Sequence, residues 1–335
     1  MLETFSQNLT EILGPLAWWT RQFLARAWGP EARDFFLWLA GVLLVIDLLY
    51  RFWRRPGTAP GRLYWHPSAR LDYKFLLSQQ LTNALIMGPM LLSALALGSW
   101  GAKILASWLG PGPAWTPGWG VLAGFAVLRL VLFDIGHYIS HYLQHKVAFF
   151  WEFHKVHHAA EVLTPLTAYR THPIESVMDS VFQNPLQALS VAAFYYLYGR
   201  DHSVTTFAGM NAFLIPCFLI SSLRHSHLWI SFGPKLEHIF SSPAQHQIHH
   251  SSAPQHLDKN MSEYFSFIDW MCGTLYVPRG KETLDFGLHQ DPDHELNTVW
   301  RFYWVPFKRA FGGLLRPAAA LPERSGAGPF SGNLC

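Results

Sequence analysis

The sequence predicts an all-α integral membrane protein with about four to five membrane helices or re-entrant segments and a helical cap on the cytoplasmic face. Half of the 335 residues are hydrophobic and only 14% are charged, which departs from the composition of a soluble domain. Aromatic residues make up 16% and include fifteen tryptophans, which suits side chains at a boundary between lipid and water. Most of the clustered histidines follow apolar segments.

The membrane segments are predicted from apolar runs that are long enough to cross a bilayer. The three clearest runs are residues 34–53, 75–98 and 119–141. Residues 177–199 and 204–223 are weaker candidates, because each contains proline and polar residues. These two segments either span the membrane or form a re-entrant hairpin that is buried in protein.

The two ends of the chain differ from this apolar middle. Residues 1–33 interleave tryptophan with arginine and predict an interfacial amphipathic helix. Glu3 and Glu11 argue against a cleaved signal peptide there. The Pro/Gly/Ala-rich tail is predicted to be disordered from about residue 316. We therefore divide the chain into an N-terminal region with the first spans, a central region with the histidines and a C-terminal extension: residues 1–118, 119–280 and 281–335.

The loop charges predict the orientation. The segment RFWRRPGTAPGR after the first predicted span is strongly basic, whereas residues 99–118 contain only Lys103. Because basic loops stay in the cytoplasm, counting spans places every histidine cluster at the cytoplasmic face, provided that the two weaker segments form a pair. The membrane is predicted to be a bacterial inner membrane or the endoplasmic reticulum.

Charge and cysteine content exclude other classes of protein. A formal net charge of +3, without a long basic run, does not favour nucleic-acid binding. The three cysteines are far apart and outside any CxxC pair, so neither a disulfide framework nor a thiolate metal site is expected.

The histidine spacing predicts a metal centre. Six histidines occur within residues 137–158, and the pattern HxxHH at residues 154–158 recurs at residues 246–250. Spacings of three and four residues put imidazoles on one helical face, where they can bind a shared ion. At least eight clustered histidines exceed the three or four ligands that one tetrahedral zinc needs, so two metal ions fit the number better.

These motifs resemble the fatty acid hydroxylase/sterol desaturase superfamily of membrane di-iron oxygenases. The resemblance covers about residues 119–280 and rests on the HxxxH, HxxHH and HxxHH series, with matching segments RTHPIE, RHSH and DKNMSEYF. One departure is NMSEYF at residues 260–265, where a glycine is more usual. The resemblance implies that residues 119–280 form the catalytic domain, and it implies metal ligation by eight histidines: His141, His145, His154, His157, His158, His246, His249 and His250. Two more positions match family histidines, and we predict them as ligands as well: His172 in RTHPIE and His225 in RHSH.

The resemblance also implies an activity. Two non-heme irons would use O2 as co-substrate to hydroxylate or desaturate a C–H bond of a membrane lipid, such as a sterol or a fatty acyl chain. Because no flavin, heme or dinucleotide motif is evident, the electrons are expected from a separate reductase, ferredoxin or cytochrome. No catalytic residue outside the metal centre and no other bound cofactor is expected.

Several residues near the motifs have alternative roles. His137 and His227 are candidates for extra ligands, and His172 is either a ligand or a neighbour of one. Four acidic residues are candidates for accepting the second imidazole N–H of a ligand: Asp134, Glu175, Asp258 and Asp269. Six histidines lie outside the motifs, and most of them are expected to be solvated: His66, His202, His238, His256, His289 and His294.

Two alternative functions use the same histidines. A metal transporter would bind ions transiently, but its sites usually lie at the bilayer midplane rather than past the ends of spans. A zinc-dependent membrane hydrolase would need an acidic general base, and no HExxH motif is present.

Overall fold

A computed structural model describes residues 63–82, 94–199, 223–288 and 295–314, together with short pieces at 40–41, 44–45, 48, 206–207, 210–211 and 220. Within this part of the chain the fold is helical apart from one pair of two-residue strands, Thr206–Phe207 and Met210–Asn211, which pair antiparallel. The helical character was predicted correctly, and the short strand pair was not.

Eight α-helices make up the described fold. They are α1 (Pro67–Thr82), α2 (Ala94–Leu109), α3 (Trp119–Lys146), α4 (Ala148–His158), α5 (Pro173–Tyr198), α6 (Pro243–His249), α7 (Ser266–Cys272) and α8 (Val299–Leu314). Short 3-10 turns lie at Pro165–Tyr169, Leu236–His238 and Pro254–His256.

Helix α3 is the one helix of the described residues that is long and apolar enough to cross a membrane. Helix α5 covers the predicted segment 177–199 as far as Tyr198 and continues through Pro185, but it does not reach the same apolarity. The predicted segment 75–98 corresponds to parts of α1 and α2, with residues 83–93 outside the described part. The segments 34–53 and 204–223 lie mostly outside the described residues, so the predicted number of spans stays a prediction.

Helices α2 and α3 both pack along α5, and glycines allow the close approach. A Cβ atom added at Gly98 of α2 would lie 2.4 Å from the Val191 side chain, and one added at Gly136 of α3 would lie 2.6 Å from the Cα atom of Gln183. Small residues of this kind let two helix backbones come together, as they do in membrane helix pairs. Gly136 therefore places the histidine-bearing end of α3 directly against α5.

Helix α4 is held from its other side by α1 and α8. Phe75 of α1, Val156 of α4 and Phe302 of α8 are each 0% exposed and form one core cluster. Helix α8, which falls in the predicted C-terminal extension, thus packs against the helix that carries the first HxxHH motif. The predicted disordered tail from residue 316 lies outside the described residues.

A buried ion pair fixes the chain between α4 and α5. The Arg170 guanidinium donates from Nε to Asp72 Oδ1 of α1 and from Nη2 to the Ser68 carbonyl oxygen at 2.7 Å. Arg170 and Asp72 are each 1% exposed, and a buried pair with these additional hydrogen bonds requires a single geometry. The backbone carbonyl of Arg170 is thereby held in place beside α4.

Candidate metal centre

Nine of the ten histidines that the sequence predicts as ligands lie in two buried groups. Group A contains His141, His145, His154, His158 and His249, and group B contains His157, His225, His246 and His250. Within each group, one ring nitrogen from each member lies within 4.8 Å of those of the others. Nitrogens this close can bind one shared ion, and the two groups together match the predicted two-ion centre.

The two HxxHH motifs contribute to the groups in a reciprocal way. The i and i+4 histidines of α4, His154 and His158, belong to group A, while the i+3 histidine, His157, belongs to group B. The α6 motif does the opposite, because His246 and His250 belong to group B and His249 to group A. Each helix therefore contributes to both groups, which places the two groups side by side between α4 and α6.

Backbone carbonyls orient three of these imidazoles. Nδ1 of His141 lies 2.7 Å from the Met261 oxygen, Nδ1 of His249 lies 2.8 Å from the Lys259 oxygen, and Nδ1 of His157 lies 3.2 Å from the Arg170 oxygen. A carbonyl oxygen only accepts, so each Nδ1 carries the proton and donates it. The Nε2 atom of each neutral ring then presents a lone pair to the inside of its group.

Two carboxylates hold further rings of group A in the same way. His154 Nδ1 lies 2.6 Å from Glu175 Oε2, and His145 Nδ1 lies 3.2 Å from Asp258 Oδ1. Both acids were predicted to take this role. A carboxylate on the far nitrogen fixes the tautomer of an imidazole and raises its strength as a metal ligand.

The inward Nε2 atoms lie closer together than a metal-free arrangement of lone pairs favours. In group A the Nε2 atom of His154 lies 3.0 Å from that of His141 and 3.1 Å from that of His158. In group B the Nε2 atom of His225 lies 2.9 Å from that of His246 and 3.1 Å from that of His250. Because His141 and His154 both donate from Nδ1, neither of their Nε2 atoms carries a proton that could bridge the pair, whereas a shared cation attracts both nitrogens.

The environment keeps these histidines neutral. Burial, followed by the proximity of the other histidines, holds the pKa values of His154, His158 and His250 well below the usual range. Burial lowers the pKa of His157 to about 3. Only neutral imidazole binds a metal, so the donor set suits borderline ions such as iron or zinc. His249 Nε2 is buried and has no hydrogen-bond partner among the described residues, as expected of a ligand atom.

His172 is the one predicted ligand that the structure places outside both groups. Its Nδ1 atom accepts from the backbone N–H of Ile174 at 3.2 Å, and its Nε2 atom lies 3.2 Å from the Tyr303 carbonyl oxygen. Both ring nitrogens are thus used, and His172 caps the N-terminus of α5. Its backbone N–H donates to Glu175, which in turn accepts from His154.

His137 and His227 also lie outside the two groups. The His137 ring centroid is 5.1 Å from that of His141, and His137 Nε2 lies 3.8 Å from Glu263 Oε2. The His227 ring packs edge-on against Tyr64 at 6.2 Å. Proximity to a ligand along α3 therefore does not bring His137 into group A.

The remaining acidic candidates organise the loop that contains Met261. Asp269 accepts from the backbone N–H groups of Met261 and Ser262 at 2.8 and 3.0 Å. Asp134 of α3 accepts from three successive backbone N–H groups, at residues 263 to 265. Asn260 adopts a left-handed conformation with φ 54°, which asparagine tolerates better than most residues, so this loop turns without glycine. Among the described residues, neither acid forms a hydrogen bond to a histidine. Both instead hold the loop whose Met261 carbonyl oxygen accepts from His141.

Of the histidines outside the motifs, most of which were expected to be solvated, one that the structure describes is buried. His256 is 1% exposed and lies 3.0 Å from Glu282 Oε2. His238 is exposed and its Nδ1 donates to the Pro234 carbonyl oxygen. Sequence reasoning also missed the carbonyls of Lys259, Met261 and Arg170, since a backbone carbonyl leaves no trace in residue identity.

Comparison with known proteins identifies relatives of the region that contains both groups. The family model described as fatty acid hydroxylase matches residues 126–274. No solved structure matches the chain.

Three curated relatives illustrate the range of similarity. The chain is 29% identical to an ornithine lipid hydroxylase of Rhizobium tropici, over 52% of this chain and 48% of that protein. It is 27% identical to an alkylglycerol monooxygenase of Xenopus tropicalis, over 57% and 43%. It is 30% identical to a Delta(7)-sterol 5(6)-desaturase of Gibberella zeae, over 48% and 44%. The matched region spans less than half of the length of each of these three relatives.

Proposed function

Because the chain belongs to the fatty acid hydroxylase/sterol desaturase superfamily, we propose that it is a di-iron oxidase of membrane lipids that hydroxylates or desaturates a C–H bond with O2. Relatives named as a lipid hydroxylase, a monooxygenase and a desaturase support oxidation of a lipid. The identity of the metal, the type of oxidation and the lipid are part of the proposal.

One observation carries the proposal, namely the two adjacent groups of inward-facing Nε2 atoms. Nine buried histidines form these groups, and no carboxylate belongs to either among the described residues. Such a donor set would hold two iron ions, which, once bound, would supply the electrons and the Lewis acidity for activation of O2. We assign iron rather than zinc because a redox reaction needs a metal that changes its oxidation state.

The protein's own contribution is to orient the imidazole rings and to exclude water from the centre. The carbonyls of Lys259, Met261 and Arg170 hold three rings, and Glu175 and Asp258 hold two more, so that five Nδ1 protons point away from the metals. Every histidine of the two groups is at most 7% exposed, so bulk water is kept from the centre. We assign His172 to capping α5 and to positioning Glu175 rather than to ligation.

Both hydroxylation and desaturation require two electrons from an external donor. Hydroxylation converts a C–H bond, O2, two electrons and two protons into C–OH and water. Desaturation uses the same O2, electrons and protons but removes two hydrogens from neighbouring carbons and releases two waters. We propose a separate reductase, ferredoxin or cytochrome as the electron donor.

The distribution of tryptophans supports a transmembrane α3 with the metal centre at one membrane face. Trp108 at the end of α2, Trp115 and Trp119 are 79%, 55% and 69% exposed, and in the chain they lie before or at the N-terminal end of α3. From Trp119 to His141 the helix rises about 33 Å, close to the roughly 30 Å thickness of a hydrocarbon core. Tryptophans at one interface and histidines at the other fit this thickness, and the basic loop at residues 51–62 supports the cytoplasmic side for the histidines.

The arrangement of the carboxylates disfavours the hydrolase alternative. Glu175 and Asp258 contact Nδ1 atoms, on the side of each ring away from the facing Nε2 atoms. A hydrolytic zinc site needs an acid beside the metal-bound water, on the Nε2 side. The described carboxylates therefore support the ligands rather than serve as a general base.

The proposal is tested by metal content and lipid products together. We would express the full chain and His249→Ala, purify both anaerobically with iron-57, and record iron per chain and Mössbauer spectra. In parallel, the two expressing cultures would be grown under oxygen-18 gas, and the lipids of their membranes would be analysed by mass spectrometry. We expect about two irons per chain, and a lipid with one added oxygen-18 or a lipid two mass units lighter, only with the unsubstituted chain.

The matched control is His238→Ala, an exposed histidine that touches neither group. It should retain both the iron and the product. Iron binding without any lipid product would contradict the oxidase, and full product formation by His249→Ala would contradict the assigned centre.

A further inference from the structure

Arg224 is a buried cation that the metal centre does not use. It immediately precedes the group B histidine His225 and is 1% exposed. One of its nitrogens, Nη1, lies 3.0 Å from Glu263 Oε2. All three of its nitrogens are buried and make no hydrogen bond to the described residues, so that Nη1 has only the ionic contact with Glu263. Burying guanidinium N–H groups without acceptors is costly, so their presence indicates a ligand that accepts from them.

The surroundings of Arg224 form a small polar site, which we call the arginine site: His137, Arg224, Glu263 and Tyr264. The guanidinium carbon lies 5.5 Å from the centroid of the Tyr264 ring, and His137 Nε2 lies 3.8 Å from Glu263 Oε2. The side chains of His137 and Glu263 are 19% and 18% exposed. The site is therefore partly open on the side of His137 and Glu263, whereas its cation lies inside.

The arginine site lies next to both metal groups and on the membrane side of group A. The His137 ring is 5.1 Å from the ring of His141, and His225 follows Arg224 in the chain. Along α3, His137 is one turn, or about 6 Å, nearer to the apolar N-terminal part of the helix than His141. A lipid that reaches the metals from the bilayer along this helix meets the arginine site first.

The charge balance of the site selects the ligand. Glu263 already neutralises Arg224, so an anionic headgroup would leave an excess negative charge in a largely buried place. An uncharged oxygen with lone pairs satisfies the free N–H groups without that cost. Resting on the proposed function, we propose that the arginine site binds the neutral carbonyl oxygen of an acyl ester or amide in the lipid substrate.

The test measures binding without oxidation, so its outcome is separate from that of the proposed function. Metal-loaded protein in detergent, without O2 or an electron donor, would be titrated with three brominated C18 probes that quench tryptophan fluorescence. The probes are methyl 9,10-dibromostearate, 9,10-dibromostearic acid ionised at high pH, and 9,10-dibromooctadecane. Concentrations are expressed as mole fraction in the micelle, which removes differences in partitioning.

We expect the ester to bind about tenfold more tightly than the hydrocarbon, as for one hydrogen bond to a charged donor, and more tightly than the carboxylate. In Arg224→Gln this difference should fall below about twofold. The exposed Arg70→Gln variant is the charge-matched control and should keep it. If Arg224→Gln does not load metal, Arg224→Lys, which keeps the charge but loses the planar fork, replaces it and should lose most of the preference.

Equal binding of ester and hydrocarbon by the unsubstituted protein would overturn the proposal. Tighter binding of the carboxylate than of the ester would also overturn it, because the site would then recognise an anion. A preference for the ester that survives in the metal-loaded Arg224 variant would show that a different residue binds the carbonyl.

Discussion

Replacing Glu175 by Gln should weaken metal binding in group A selectively. The carboxylate of Glu175 accepts from His154 Nδ1 and from the His172 backbone N–H, both at 2.6 Å. An amide has only one acceptor oxygen, so one of these two donors must face its NH2 group. If the NH2 group faces His154, the ring proton is driven to Nε2, where the metal lone pair should be. If it faces His172, the cap of α5 is lost.

The magnitude follows from this geometry. Loss of the partner that orients a ligating histidine typically weakens metal binding by about 10- to 100-fold, or roughly 1.4 to 2.7 kcal/mol. The assay is anaerobic titration with Fe²⁺ in competition with a chromophoric chelator, which resolves two binding steps. One step should weaken by this factor, and the step assigned to group B should not change.

The control is Glu161→Gln, which removes the same charge from an exposed residue outside both groups. Both of its binding steps should match those of the unsubstituted chain. Unchanged affinity in Glu175→Gln, or an equal loss in Glu161→Gln, would refute the inference that the Glu175–His154 hydrogen bond prepares the ligand.

Three further predictions concern the cap, the metal-free protein and the helix packing. His172→Asn should keep two metals per chain, because asparagine is a good N-cap, whereas His249→Ala should lose one; metal analysis of both distinguishes a cap from a ligand. Metal-free protein should lose stability as the pH falls from about 6.5 towards 3, because the unfolded chain takes up protons on its histidines before the folded chain does. The loss should be about 1.4 kcal/mol per pH unit for each histidine whose pKa is lowered in the fold, as that of His157 is to about 3. Denaturant titrations at several pH values measure this slope, and they would show none if the histidines were protonated in the folded protein. Gly136→Ala should destabilise the folded protein by about 1 to 3 kcal/mol through overpacking, because the added Cβ atom would lie 2.6 Å from the backbone of α5. The added Cβ atom of the control Gly124→Ala meets nothing within 4 Å, so this variant should be neutral or stabilising. Equal melting temperatures of the two variants would contradict the close helix contact.

The residues of the metal centre were largely predictable, but their division into two groups was not. Repetition of HxxHH identifies the histidines, because imidazoles at these spacings share one helical face. That face borders both groups, and the rotation of the helix about its axis decides which histidine joins which group. The rotation of α4 is set by distant contacts such as that of Val156 with Phe75 and Phe302, which no local pattern encodes.

Two histidines have environments that the sequence did not decide. His172 lies in a segment that matches the family motif, and its ring caps α5 because Pro173 begins the helix there. His256 belongs to a set of histidines of which most were expected to be solvated, and it is buried beside Glu282. In each case the residue type is compatible with two environments, and tertiary contacts decide between them.

The segments that carry the histidines lie far apart in the sequence. Groups A and B draw on α3, α4, the residues around His225, and α6, so that each bound ion would act as a cross-link between distant parts of the chain. Binding of the ions would therefore stabilise the closure of these long loops in a newly made chain. The supply of metal in the cell should therefore control how much of the protein survives proteolysis, in addition to how much of it is active.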